Sequence, residues 1–320
     1  MGNETILFVG KLGYHNKNII EPIIARLKSL GHTVAQTDGN MDFFDQEVGD
    51  FVEETKSAIN KDCFGATIIV FSDFWNFLVP LYRFAYKGKR ARFVGFFHGS
   101  VNIEGDVCLE IPKAIEYESY LTSAYDEIIC PNDYARNVVR TSNCKVSMFP
   151  MIEQIKRKRP TIKHRKRIVY AHRWNYDKGN DQFIEFVRHC RDLKKPYEFV
   201  VIGKNLPTKY CSLEIDSFGW ISQQEIKEIC RGGGYAWSSV RSETIGYTIV
   251  DLVSYGLTPL VNNHEAYFKW WKDYIYTDKN HAISMIDNEV NLSNEDWNNW
   301  REINANNTNE ITERILDDTV

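Results

Sequence analysis

No CxxC pair and no Cys/His cluster occurs among the seven cysteines of this 320-residue chain, Cys63, Cys108, Cys130, Cys144, Cys190, Cys211 and Cys230. That excludes the common structural zinc sites, and an odd count falling partly within apolar segments predicts reduced thiols. No apolar run approaches the ~18 residues that a transmembrane helix needs. The chain also enters a strand-like run at Thr5, so no signal peptide is expected and the predicted setting is the cytoplasm. HExxH, GxSxG and the P-loop are all missing, which removes the commonest zinc-protease, α/β-hydrolase and NTPase readings. Asp-x-Asp is missing too, so nothing points to a divalent ion bridging phosphates, and no metal site is expected. A strong excess of one charge is also absent. The net charge of −4 offers no global attraction to nucleic acid or to an anionic membrane.

What is present is an ordinary globular composition, 43% hydrophobic and 26% charged, over a length typical of two domains. Aromatics are plentiful, with 8 Trp, 17 Tyr and 18 Phe, and suit either a large core or an aromatic-lined ligand cleft. Thr5–Gly10 is a short continuous apolar run, as expected of a parallel strand buried on both faces. A helix closed by Gly31 and a second strand from His32 follow it. Strands at Ala66–Phe71, Arg92–Phe97 and Asp126–Pro131 then alternate with helices at Leu78–Tyr86 and after an Asn132 cap.

The second half repeats the alternation, with strands at Arg167–Ala171, Tyr197–Gly203 and Gly234–Ser238 and a helix over Asn180–Leu193. Ser222 caps a further helix, with Glu225 at the capping-box position. Two doubly wound α/β domains in series fit this order. The predicted boundaries are 1–155 for a first Rossmann-like domain, 156–166 for a basic linker and 167–295 for a second domain. Residues 296–320 form a polar helical tail that is able to pack back on the first domain.

The densest motif is Ser242-Glu243-Thr244-Ile245-Gly246-Tyr247-Thr248-Ile249-Val250-Asp251. A helix starting at Gly246 offers unpaired backbone N–H groups and the positive end of its dipole, a ready phosphate site. Glu243 sits in the loop before that terminus and Asp251 in the second turn. Two carboxylates around a phosphate site suit the hydroxyls of a sugar nucleotide.

Ligands of doubly wound sheets lie beyond the carboxyl ends of the strands. After the first strand, Gly10-Lys11-Leu12-Gly13 lacks the third glycine and the acidic partner of GxGxxG, and reads equally as a ligand loop or a plain tight turn. After the fourth strand, His98 and Gly99 either face a ligand or are simply structural. After the first strand of the second half, Arg173 and Lys178 stand five apart in a strand-to-helix loop. Two cations there would clamp a diphosphate, with two surface cations as the plainer alternative.

Together these residues resemble the retaining glycosyltransferase family 4, of GT-B architecture. "YAHRWNYDKGNDQFIEFV" looks like that family's strand, Arg, Lys-Gly and helix segment. "FGWISQQEIKEICRGGGYAWSSVRSETIGYTIVDLVSYGLTPLV" looks like its stretch from a Gly-aromatic turn to a Glu-x7-Glu motif, and "YDEIICPNDYARNVV" is similar to the end of its N-terminal domain.

The resemblance implies two Rossmann-like domains facing across a cleft, the first on the acceptor side and the second holding a UDP- or GDP-sugar donor, with no cofactor required. It implies that Arg173 and Lys178 bind the donor diphosphate and that Glu243 contacts the donor sugar. Thr244, Ile245 and Gly246 would lie at the phosphate-binding helix terminus, and Asp251 would hold the ribose. His98 would match a histidine near the transferred sugar, and Gly10 and Gly13 a loop closing over the donor. In such enzymes the leaving phosphate assists the acceptor hydroxyl, so no protein nucleophile is needed. The chain departs from the family pattern in having Asp at 251 rather than Glu, Thr244-Ile245 for a small-aromatic pair, and Gly-Lys-Leu-Gly for adjacent glycines.

The acceptor is open between a glycan or small molecule and a hydroxylated DNA base, as in phage DNA-modifying members that work in a host cytoplasm. Lys156, Arg157, Lys158 and Arg159 begin a run of eight cations to Arg167 with no acid, either a solvated linker or an acceptor contact. Arg83–Arg92 interleaves further cations with Phe84 and Tyr86 in a way that suits nucleic acid. A non-catalytic module binding a nucleotide sugar or nucleic acid is the competing class. No integral membrane association is expected, and the oligomeric state is not encoded legibly.

Overall fold

Short runs of β-branched and aromatic residues, bounded by polar turns, build parallel strands whose two faces are both covered. The computed structural model describes residues 3–10, 14–37, 65–76, 78–87, 90–103, 109, 113–150, 166–267 and 270–317. The chain divides into two units, Met1–Glu153 with Arg301–Val320, and Gln154–Trp300.

In the first unit the strands are β1 (Thr5–Val9), β2 (Thr33–Thr37), β3 (Ile68–Phe71), β4 (Arg92–Phe96), β5 (Glu127–Cys130) and β6 (Cys144–Val146). They form a parallel sheet in the order β2-β1-β3-β4-β5-β6. The described helices between them are α1 (Tyr14–Ser29), α2 (Val79–Ala85), α3 (Ala114–Ala124) and α4 (Asp133–Val139). Asn132 caps α4 as its sequence predicts, its side chain accepting from the Ala135 amide at 2.8 Å. The sequence reading has no counterpart to α3, which follows Lys113 in a left-handed conformation.

The second unit holds β7 (Arg167–Tyr170), β8 (Glu198–Ile202), β9 (Ile215–Phe218), β10 (Tyr235–Ser238), β11 (Thr258–Asn262) and β12 (Ile275–Tyr276). Their order is β12-β11-β10-β7-β8-β9, again parallel. Around them lie α5 (Asn180–Asp192), α6 (Gln223–Cys230), α7 (Tyr247–Ser254) and α8 (Lys279–Asp287). The Ser222/Glu225 capping box of α6 forms in full. A long helix, α9 (Asn294–Leu316), begins in this unit and ends in the first.

Much of the aromatic content goes to core. Trp75, Trp237, Trp270, Trp271, Trp297 and Trp300 are all buried. Trp237 stacks between Phe186 and Tyr276, with ring centroids 4.1 and 4.6 Å away. Such rings bury large apolar areas and fix their neighbours' geometry.

Two expectations change. Cys130 and Cys144 are disulfide-bonded rather than reduced, because β5 and β6 are neighbours and bring them to a Cα separation of 6.5 Å. Cys190, Cys211 and Cys230 are free. The basic-aromatic segment is also spent on structure at its two ends, while Phe84, Lys87 and Arg90 are exposed. Arg83 pairs with Asp126 at 2.7 Å and lies over the Phe93 ring. Arg92 is partly buried, pairs with Glu127 at 2.7 Å, and donates to the carbonyls of Arg314 and Ile315 at the end of α9. A guanidinium placed there satisfies helix-terminal carbonyls that would otherwise lack partners. No helix of the described residues is long and apolar enough to cross a membrane.

Removing Arg92 leaves Glu127 almost fully buried with only Arg314, at 3.5 Å, to balance it. Arg92→Ala should therefore lower stability by roughly 3–5 kcal/mol in urea denaturation. A loss below about 1 kcal/mol would contradict the clamp, that being what an exposed pair is worth.

Candidate functional site

The strand orders locate one crevice in each unit. In the second, the chain starts at β7, builds outward to β9, and returns to the other side of β7 with β10. The carboxyl ends of β7 and β10 thus form the switch point where ligands of such sheets lie. The loops leaving them carry Arg173 and Lys178 on one side and Glu243 on the other. In the first unit the reversal falls between β1 and β3, which lead into Gly10 and Ser72.

The two loops of the second unit are laced together. The Asp177 carbonyl accepts from the amides of Arg241 and Ser242 at 2.8 and 3.2 Å. Arg241 makes a two-pronged pair with Asp181, both contacts at 2.6 Å, and lies 3.8 Å over the Tyr176 ring. Ser239 Oγ donates to the Gly179 carbonyl at 2.9 Å and accepts from the Trp237 indole at 3.1 Å. The buried Tyr170 hydroxyl lies 3.1 Å from the carbonyls of both Arg173 and Lys178.

Gly179 ends the turn at φ 69° and starts α5, where an added Cβ would run into the Ser239 backbone. Gly246 plays the same part for α7 at φ 78°, with the Tyr267 ring behind it. Only glycine reaches these left-handed conformations at no steric cost.

This lacing brings together seven of the residues the sequence singles out. Lys178 Nζ donates to the Ser242 carbonyl at 2.9 Å and to Glu243 Oε2 at 3.3 Å, and lies 3.6 Å from Asp177 Oδ2. Glu243 Oε1 accepts from the amides of Thr244 and Ile245 at 3.0 and 3.4 Å. Arg173 is half-exposed, 3.7 Å from Asp177 Oδ2. Thr244 and Ile245 are buried in the turn before α7, and Gly246 caps it. Asp251 is half-buried in the second turn of that helix.

Burial would raise the Glu243 carboxyl, but the Lys178 ammonium, His172 and the amides of Ile245 and Gly246 outweigh it and lower it to about 2. The site therefore presents an ionised carboxylate, an ammonium and a helix N-terminus within one loop pair.

In the first unit, His98 Nε2 lies 2.7 Å from the Ser72 carbonyl. A carbonyl only accepts, so that nitrogen carries the proton. Gly10 lies beside Ser72, whose hydroxyl would meet a Cβ added there. Gly13 and Lys156–Arg159 lie outside the described residues.

Three residues were missed in the sequence. His172 directly precedes Arg173 and is 3% exposed, and its Nε2 has no hydrogen-bond partner among the described residues. Burial lowers it to about 4, with Lys178 adding to the effect and Glu243 opposing it. Asp177, 4% exposed, carries the carboxylate that faces both cations. His264 follows β11 and is lowered by burial, against the pull of Glu243. Only proximity to Arg173 and Lys178 marked the first two, and nothing marked the third.

No protein-family model and no curated protein sequence matches the chain. Solved structures match it along its length. It is similar to a glycosyltransferase from Rickettsia africae, at 13% identity and a TM-score of 0.62, with 100% of each chain covered. It is similar to a UDP-forming α,α-trehalose-phosphate synthase from Burkholderia xenovorans, at 11% identity and a TM-score of 0.61, with 100% of each chain covered. An α-glucosyltransferase solved with UDP and a 13-mer DNA containing an HMU base matches at 13% identity and a TM-score of 0.58, covering 99% of this chain and 100% of that one. These likenesses establish the fold. The chain is α/β, with the GT-B architecture of two doubly wound Rossmann-like domains.

His172 and Glu243 set an acid-side stability profile. A His held to about 4 rather than 6.5 favours the folded state fully above pH 6.5, and that contribution is lost as pH falls toward 4. A Glu held to about 2 rather than 4.5 contributes fully above 4.5 and is lost as pH falls toward 2. Melting temperature should drop between pH 6.5 and 4 in the wild type, and His172→Gln should flatten that segment. An unchanged slope in the variant would refute the buried neutral imidazole.

Proposed function

We propose that this chain is a retaining glycosyltransferase that moves a sugar from a UDP- or GDP-sugar donor to an acceptor hydroxyl. One observation carries the reading. Lys178, Glu243 and the N-terminus of α7 converge at the switch point of the second unit, on a GT-B fold. As the glycosidic bond breaks, the departing diphosphate gains negative charge. Arg173, Lys178 and the amides at Gly246 stabilise that charge where it develops. These two cations do the work a bridging divalent ion would do, so turnover is expected without added metal.

Glu243, ionised and held by its own loop amides, accepts hydrogen bonds from sugar hydroxyls. Asp251 is assigned to the ribose, and Thr244 and Ile245 shape the turn that aims the helix terminus. In the first unit His98 is assigned to hydrogen bonding with the transferred sugar, and Gly10 and Gly13 to a donor-covering loop. Retention follows from the leaving phosphate assisting the acceptor hydroxyl on the face it leaves. The solved relatives that hold UDP support a uridine nucleotide as the first donor to try.

For the acceptor, a glycan or small hydroxylated molecule is the leading reading. The relative solved with DNA supports a DNA base as the alternative. Among the described residues, however, Arg83 and Arg92 are engaged within the first unit rather than offered to a duplex.

The test is release of nucleotide from UDP- and GDP-sugars, with and without acceptors. Lys178→Ala and Glu243→Ala should each lower turnover by about 10²–10³-fold, the usual loss for one group stabilising a developing charge, in variants that still fold. Near-normal turnover in either variant would overturn the assigned site. Absence of release from every common sugar nucleotide would favour a non-catalytic binding module instead.

A further inference from the structure

Lys178 is already engaged in the resting site, with two hydrogen bonds and one further ion-pair contact. An ammonium carries three N–H groups, and three oxygens already surround its Nζ: the Ser242 carbonyl at 2.9 Å, Glu243 Oε2 at 3.3 Å and Asp177 Oδ2 at 3.6 Å. A diphosphate arriving at α7 competes with both carboxylates for Lys178. Buried Asp177, partly exposed Glu243 and an anionic ligand would then share the charge of Lys178, Arg173 and one helix terminus. A poorly hydrated site with that excess of negative charge favours proton uptake by the nearest base with a spare nitrogen.

Two histidines feel the charges of the Glu243–Lys178 pair. His264, in the loop after β11, is committed. Its Nδ1 accepts from the Ala266 amide at 3.2 Å, and its ring is hydrogen-bonded to the Arg241 backbone. His172 keeps capacity in reserve, since its buried Nε2 has no partner among the described residues. An edge-on contact with Tyr170, centroids 5.5 Å apart, holds the imidazole at the carboxyl end of β7. The charged groups acting on it are Glu243, from the loop after β10, and Lys178, from the turn after β7. From the loop after β8, Gly203 brings only backbone near the His172 carbonyl.

Resting on the donor-site reading above, we infer that His172 is a proton-linked positioning residue. Binding of a nucleotide sugar places a solvent proton on its imidazole, and the resulting cation balances Glu243 once Lys178 turns to the diphosphate. No bond to the donor is made or broken in this step; one proton passes from water to nitrogen. The resting imidazole is neutral, held to about 4 by burial, with Glu243 raising it and Lys178 lowering it. Moving Lys178 away and bringing phosphate in both push it upward.

The test is calorimetric titration of the full chain with UDP-glucose and GDP-mannose at about pH 6, in buffers of different ionisation enthalpy. These sugar nucleotides have no phosphate that titrates there, so uptake reports the protein. Wild type and His264→Gln should take up close to one proton on binding. His172→Gln and His172→Asn should take up almost none, and should lose the wild type's rise in affinity as pH falls from about 8 to 5.5. Circular dichroism identifies which of the two His172 variants folds. No uptake by the wild type, unchanged uptake in a folded His172 variant, or loss of uptake in His264→Gln instead would each overturn the assignment. If UDP-glucose and GDP-mannose both bind and only the His172 result fails, the donor site stands. If the wild type binds neither, that reading falls and takes this inference with it.

Discussion

The Asp177 carbonyl, accepting from the Arg241 and Ser242 amides, ties the loop after β7 to the loop after β10. The rest of the site depends on that tie. Lys178 and Glu243 are 65 positions apart in the chain and belong to two different loops. Left independent, each loop would sample many conformations, and holding both to one geometry would cost the ordering free energy at every binding event. The Arg241–Asp181 pair, the Tyr170 hydroxyl and Ser239 commit that ordering during folding. The charges therefore stand in place before a ligand arrives, the condition under which electrostatic stabilisation is strongest.

Preorganisation leaves local conflicts. One oxygen of buried Asp177 and one nitrogen of buried His172 lack hydrogen-bond partners among the described residues. A buried unsatisfied polar atom costs about 1–3 kcal/mol. Both lie in the loop after β7, beside the cations Arg173 and Lys178. Arg92, Glu127 and Arg314 in the first unit form a charge cluster around one buried carboxylate, tied to the end of α9.

The alternating strands and helices, the two doubly wound domains and the residues following each strand were legible in the chain, because apolar runs and helix caps are local signals. Arg173 and Lys178 were singled out by one topological rule applied to those runs, and Glu243 by its place before the glycine that opens α7. What escaped the sequence depends on contacts between distant segments. The strand order that puts β10 beside β7 cannot be read from periodicity, and without it His172 is one histidine at a strand end. Cys130 and Cys144 sit on adjacent strands, a fact that their spacing of 14 residues does not reveal. Arg83 and Arg92 read in the sequence as part of a basic-aromatic segment suiting nucleic acid, since a run of cations carries no record of the acids it meets.

The central claim is that the nucleotide diphosphate lies at the crossing of β7 and β10 in the second unit. A crystal structure with a bound UDP-sugar tests it most directly. The account predicts phosphate oxygens within hydrogen-bond distance of the amides at Gly246 and of Lys178 Nζ, with the Arg173 side chain turned toward them and Glu243 facing the sugar. A nucleotide whose phosphates instead lie beside Gly10 and Ser72, leaving the Lys178–Glu243 pair undisturbed, would contradict it.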